Sequence, residues 1–233
     1  ANAVAGNYPF GTSLAFNTYW IDTVAGGSSG NYQFQTRAPF GTGLFQENVV
    51  ESRGGITELA LAFAGASHDK WFMGFTLGVP FLRYDRTSTF TEADAGTDPN
   101  NKFDYAVFTQ NLETKGSGVN LKMGVIYKPV EHVRLGLAFH TPSFYRLTDQ
   151  YSASVTTNTE SYQGTMSQTS SFLNNNQDGQ FSYWMFTPYR LMASASYVLR
   201  EIEDVRKQRG FLTADIEYVN YKASSYTSDP EGD

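Results

Sequence analysis

Apolar side chains recur at every second position along several stretches of this chain, the period of a strand whose two faces meet different surroundings. Between Trp71 and Arg83, one parity holds Trp71, Met73, Phe75, Leu77, Val79 and Phe81. The other holds Phe72, Gly74, Thr76, Gly78, Pro80 and Leu82. The first row is large and apolar throughout; the second is mostly small in its middle. From Thr57 to Gly65, Leu59, Leu61 and Phe63 alternate with Glu58, Ala60, Ala62 and Ala64. Val119, Leu121, Met123 and Val125 alternate with Asn120, Lys122, Gly124 and Ile126, and Val133, Leu135 and Leu137 with Arg134, Gly136, Ala138 and then His140. Tyr189–Leu199 and Leu212–Tyr218 repeat the pattern, the second with Asp215 and Glu217 opposite Ile216 and Tyr218. Near the start, Phe10, Leu14, Phe16 and Trp20 alternate with Gly11, Ser13, Ala15 and Asn17, which predicts a further strand. The total is about seven strands of about ten residues or more, the length a tilted strand needs to cross a bilayer.

The links between these strands alternate in length. Residues 22–54 form a long polar stretch, and Ser67-His68-Asp69-Lys70 a short one. A long link over 85–116 precedes a short one, Lys128-Pro129-Val130-Glu131-His132. A long link over 158–180 precedes a shorter charged one, Glu201–Arg209. An up-and-down barrel in an outer membrane has long loops on one side and short turns on the other. A Greek-key sandwich gives no reason for the alternation. Trp71, Tyr127 and Tyr197 lie next to or near short links with the parity of the large apolar face, as an aromatic girdle at lipid headgroups requires. The alternative is a soluble β-sandwich binding module, in which these are core aromatics and the apolar face is buried. The fold expected is therefore all-β, an antiparallel up-and-down transmembrane β-barrel.

Composition narrows the function. The chain has 233 residues, no cysteine and a net charge of −6. Disulfides and thiolate metal sites are excluded, and nucleic-acid binding has no basic footprint. No apolar run reaches the roughly 18 residues of a membrane helix, and the mean hydropathy is −0.38. That value would pass for a soluble protein, and a transmembrane barrel looks the same, because only alternate residues of each strand meet lipid. No signal peptide opens the sequence, so Ala1-Asn2-Ala3-Val4 reads as a mature or truncated terminus. His68, His132 and His140 lack metal-ligand spacing. Neither a Gly-x-Ser-x-Gly elbow nor a phosphate loop occurs, and Gly116-Ser117-Gly118 is too short to count as one. The chain reads as neither an enzyme nor a cofactor or metal protein.

The inward parity carries the candidate chemistry. Small residues there, such as Ala60, Gly74, Gly124, Gly136, Ala138 and Ser194, leave volume for water, a plug or a ligand. Glu58, Lys122, Arg134, His140, Arg190, Asp215 and Glu217 share the parity; they either pair with one another or a plug, or orient an anionic headgroup. Thr76, Gly78, Asn120, Lys122, His140 and Arg190 are the candidate ligand-binding residues at mid-depth, and Lys122, His140 or Arg190 could hold a carboxylate. Pro80, Pro142 and Pro188 lie toward the long-loop ends of their strands and have inward parity. Proline cannot donate to the ladder, so each marks a strand end, or a kink through which an apolar solute could move sideways.

Several phrases resemble the FadL/TodX-type outer-membrane transporters, especially those of Bacteroidetes: residues 118–145 (GVNLKMGVIYKPVEHVRLGLAFHTPSFY), 54–86, 187–199 (TPYRLMASASYVL) and 214–221 (ADIEYVNY). The resemblance covers most of the chain from Gly54 onward. It implies a barrel of about 14 strands plugged by an N-terminal hatch, with passive uptake of long-chain fatty acids or aromatic hydrocarbons and release through an opening in the wall. The hatch and its Asn-Pro-Ala signature are missing, and the strands stop at about half the family's number, too few to close. Residues 1–233 are thus expected to be part of a single outer-membrane β-barrel domain, with hatch and C-terminal strands not in this sequence. The implied partners are outer-membrane lipid or lipopolysaccharide and a hydrophobic small molecule. The alternative within the family is a structural or partner-binding subunit, as in type IX secretion machinery, whose long extracellular loops grip a protein.

Overall fold

The computed structural model describes residues 6–24, 33–96, 98, 100–199 and 210–229. Its strands are β1 (Ile21–Thr23), β2 (Phe34–Thr36), β3 (Leu44–Ser67), β4 (Trp71–Asp94), β5 (Tyr105–Val130), β6 (Val133–His140), β7 (Phe144–Asn158), β8 (Thr165–Thr169), β9 (Gly179–Phe186), β10 (Tyr189–Leu199), β11 (Gly210–Asn220) and β12 (Ser225–Ser228). Two short helices accompany them, α1 (Thr12–Asn17) and α2 (Ser170–Leu173). None of the described helices is long and apolar enough to cross a membrane. The chain is all-β, as expected. Pairing runs β11-β10-β6-β5-β7-β9-β12, with β4 joining β3 to β5 and β8 on β7. Among the described residues this sheet does not close on itself: β3 has one partner, β4, and β11 one, β10.

Three expectations need correction. The segment from Phe10 to Trp20 is not a strand; its middle, Thr12–Asn17, forms helix α1. Phe10, Leu14 and Thr18 are four apart and make one helical face, and the Thr18 hydroxyl donates to the Leu14 carbonyl at 2.9 Å. The long links hold strand that was read as loop: β3, β4 and β5 run for 24, 24 and 26 residues, so that β3 takes up 44–54 and β4 and β5 most of 85–116. Their polar halves, such as Thr87, Ser88, Thr89 and Thr91 on β4, are β-branched or hydroxylic on both faces, so they extend as strand without an apolar stripe to announce it. Within 158–180, β8 and α2 replace what read as loop. The strand segments consequently outnumber the seven expected. The link Glu201–Arg209 lies outside the described residues.

The short links are hairpin turns. His68 and Asp69 have φ of 52° and 51°, the left-handed pair that a two-residue turn needs to match strand twist, and Lys70 N–H donates to the Ser67 carbonyl. A backbone bond from Lys128 N to the Lys70 carbonyl ties this turn to the end of β5.

The chain divides into two compact units. Unit 1 comprises Ala1–Gly54, Tyr84–Thr114 and Asp149–Phe181. It has its own core: Leu14 with Ala153 and Val155, flanked by Phe10, Trp20, Phe108 and Leu173, and a second cluster of Ala38, Phe103 and Ala106. Glu92 is buried there; its carboxylate accepts from Trp20 Nε1 at 3.0 Å and Gln46 Nε2 at 2.6 Å. Arg37 pairs with Asp22 and lies 3.7 Å from the Tyr162 ring centre, which fastens the β1–β2 hairpin.

Unit 2 comprises Gly55–Arg83, Lys115–Thr148 and Ser182–Asp233. Its large apolar face is bare. Leu61, Phe75, Met123 and Leu135 are 54%, 50%, 42% and 45% exposed, and Phe63 stacks on Phe75 with ring centres 5.1 Å apart. A soluble sandwich would cover these side chains, and no described residue does so.

Gly116-Ser117-Gly118, set aside above as a phosphate loop, has a structural role inside β5. A side chain on Gly118 would meet the Phe144 carbonyl at 2.6 Å and the Tyr145 ring at 2.9 Å; on Gly116 it would meet the Arg146 carbonyl at 2.1 Å. Both glycines let β7 approach, and buried Tyr145 and Leu147 fill the room. Gly116→Ala therefore costs about 1–3 kcal/mol through overpacking against backbone. Gly55→Ala, where the added atom meets nothing within 4 Å, is near neutral. Thermal unfolding of the two variants side by side checks this.

Candidate functional site

The inward side chains of unit 2 form two zones. The first is an open recess of about 840 Å³. Gly74, Thr76, Gly124, Gly136, Ala138 and Ser194 line it, with Phe72 and Ile126 toward the short turns and Lys122 and His140 at the other end. The small side chains are set by register. Gly136 is paired with Ser194, and a Cβ there would fall 2.3 Å from the Ser194 hydroxyl. Gly124 is paired with Ala138.

The second zone is a polar belt bordering the recess. Lys122, His140 and Arg190 are direct cross-strand partners on β5, β6 and β10. Glu58 on β3 reaches Lys122 Nζ at 2.5 Å, although β4 lies between them. Gly78 of β4 makes this crossing possible. A Cβ at Gly78 would stand 2.9 Å from the Glu58 carboxyl and 2.5 Å from Asn120 Oδ1. Asn120 Nδ2 donates to Glu58 Oε2 at 3.1 Å and to the Ser143 hydroxyl at 3.2 Å. Its Oδ1 is buried without a donor. At the other end of the belt Arg190 meets Glu217 at 3.4 Å. The charges of the belt thus pair with one another.

Of the candidate ligand residues, Thr76, Lys122 and His140 line the recess. Gly78 and Asn120 belong to the Glu58 crossing, and Arg190 is joined to the group through His140. Trp71 and Tyr127 stack with ring centres 4.3 Å apart, whereas Tyr197 lies on β10 beside His132, 6.3 Å between rings. The prolines differ among themselves. Pro80 lies buried inside an unbroken β4. Pro142 and Pro188 stand in breaks, between β6 and β7 and between β9 and β10.

These breaks line up with a third, the 3₁₀ turn Tyr221–Ala223 between β11 and β12. Hydroxyls replace missing ladder partners there: Leu121 N–H donates to Thr141 Oγ1 at 2.9 Å and Ser143 N–H to Thr187 Oγ1 at 2.8 Å. Each break also changes parity. Gly136, Ala138 and His140 point inward on β6, and buried Tyr145 and Leu147 do so on β7. Sequence reasoning placed the prolines but missed Thr141, Ser143 and Thr187. The repeated Thr-Pro dipeptide was the signal, since proline interrupts the ladder and the threonine hydroxyl beside it can accept from an N–H left without a carbonyl partner.

Gly78→Ala pushes aside the side-chain ends of Asn120 and Glu58 and costs about 1 kcal/mol through the hydrogen bonds it disturbs. Glu58→Gln added to Gly78→Ala then costs less than it does alone, which a double-mutant cycle on thermal or denaturant unfolding measures. No known family, curated protein or solved structure matches the chain.

Proposed function

We propose that this chain forms part of a bacterial outer-membrane β-barrel of the FadL/TodX kind, a passive conduit for hydrophobic compounds such as long-chain fatty acids or aromatic hydrocarbons. The observation that supports it is the bare apolar face of unit 2 and its two margins. On β4 the outward parity reads Trp71, Met73, Phe75, Leu77, Val79, Phe81 and then Arg83, Asp85, Thr87, Thr89. From Trp71 to Phe81 the strand advances about 33 Å at about 3.3 Å per residue. At the roughly 40° tilt of barrel strands that is about 25 Å of height, the thickness of an outer-membrane apolar band. The stacked Trp71–Tyr127 pair stands at one margin and charge begins at the other.

In this reading lipid covers the outward face, and further strands pair the free sides of β3 and β11, since unsatisfied backbone is not tolerated in hydrocarbon. The recess takes the ligand, with apolar burial contributing about 25 cal/mol per Å². The breaks at 141–143 and 187–188 mark where the wall would open. The partner-binding alternative calls for a lumen filled by protein; the recess of unit 2 is open space among the described residues.

The test is insertion. Leu61→Arg or Phe75→Arg weakens folding of the full-length protein into vesicles by about 2–4 kcal/mol each. Thr87→Arg or Thr91→Arg, of the same parity as Phe75 on β4, is tolerated. Denaturant titration in vesicles reads the difference. A chain that stays folded and monodisperse in water without detergent ends the proposal.

A further inference from the structure

We infer that the recess of unit 2 selects an uncharged apolar molecule bearing a hydroxyl, of the long-chain alcohol or phenol class, over a carboxylate of the same length. This rests on the conduit reading above. Two cations border the recess, and each already has a carboxylate of the protein: Lys122 has Glu58 at 2.5 Å, and Arg190 has Glu217 at 3.4 Å. An arriving carboxylate would be the third anion for two cations. It would also lose its hydration beside Gly124, Ala138 and the other uncharged walls of the recess, where an uncompensated charge is costly.

A hydroxyl brings no charge and both hydrogen-bonding roles. The Lys122 ammonium keeps donors beyond the one used on Glu58, and a His140 ring nitrogen adds a group that gives or takes a hydrogen bond. An apolar tail then follows the groove of small side chains toward Phe72 and Ile126.

Equilibrium dialysis of the full-length protein in detergent, with radiolabelled 1-dodecanol and dodecanoate and protein-free micelles as blank, tests this. The alcohol should bind at least about tenfold more tightly, a difference of about 1.4 kcal/mol. Replacing both protein carboxylates (Glu58→Gln with Glu217→Gln) should shrink or reverse that ratio by freeing Lys122 and Arg190 for the ligand anion. Should the double variant fail to fold, the wild-type ratio alone decides. Equal or tighter binding of dodecanoate by the wild type overturns the inference and leaves the conduit reading standing. Retention of neither compound above the blank overturns both.

Discussion

A strand shows alternate side chains to opposite sides, and it can exchange its two faces only by gaining or losing a residue in register. Unit 2 is arranged around that constraint. Its outward row of Leu, Phe, Met and Ile has no described protein layer over it, and its inward row lines one open recess. Both requirements fall on the same strands, so each residue answers to one side only. Where the inward side has to change occupants, from the small residues of β6 to the large buried Tyr145 and Leu147 of β7, the chain breaks and re-registers. Neighbouring strands break at the same level, which keeps faces matched across the sheet.

The alternation that predicted the strands of unit 2 was legible because large apolar and small residues differ strongly in kind. Unit 1 was not legible in that way. Its strand halves, such as Thr87–Asp94 of β4, are polar on both faces, and a loop has the same composition. Its core is made instead by small buried residues, Ala106, Ala153 and Val155, against α1 and Phe103. Helix α1 read as a strand because Leu14 and Phe16 happen to alternate, while the four-residue spacing of Phe10, Leu14 and Thr18 governs the packing. In the candidate site the ionisable residues could be listed from parity, but their partners could not. Glu58 meets Lys122 only because three strands take a particular register and the residue between them lacks a side chain.

Internal charge pairing has a further effect on the recess. Lys122 and Glu58, like Arg190 and Glu217, satisfy each other, so the belt presents dipoles instead of net charge to the recess. Such a boundary has hydrogen-bonding capacity with little field beyond it. The neighbouring glycines and alanines add no chemistry of their own and set only the width. Shape therefore falls to the small residues and polarity to the belt, and the two zones can be altered separately.

The three aligned breaks bear on how the sequence can change length over evolutionary time. Deleting one residue from 141–143 would turn every later side chain of β7 to the opposite side, while β9 and β12 kept theirs. Tyr145 and Leu147 would exchange places with Arg146 and Thr148. Single insertions and deletions at this level are therefore tied together across three strands.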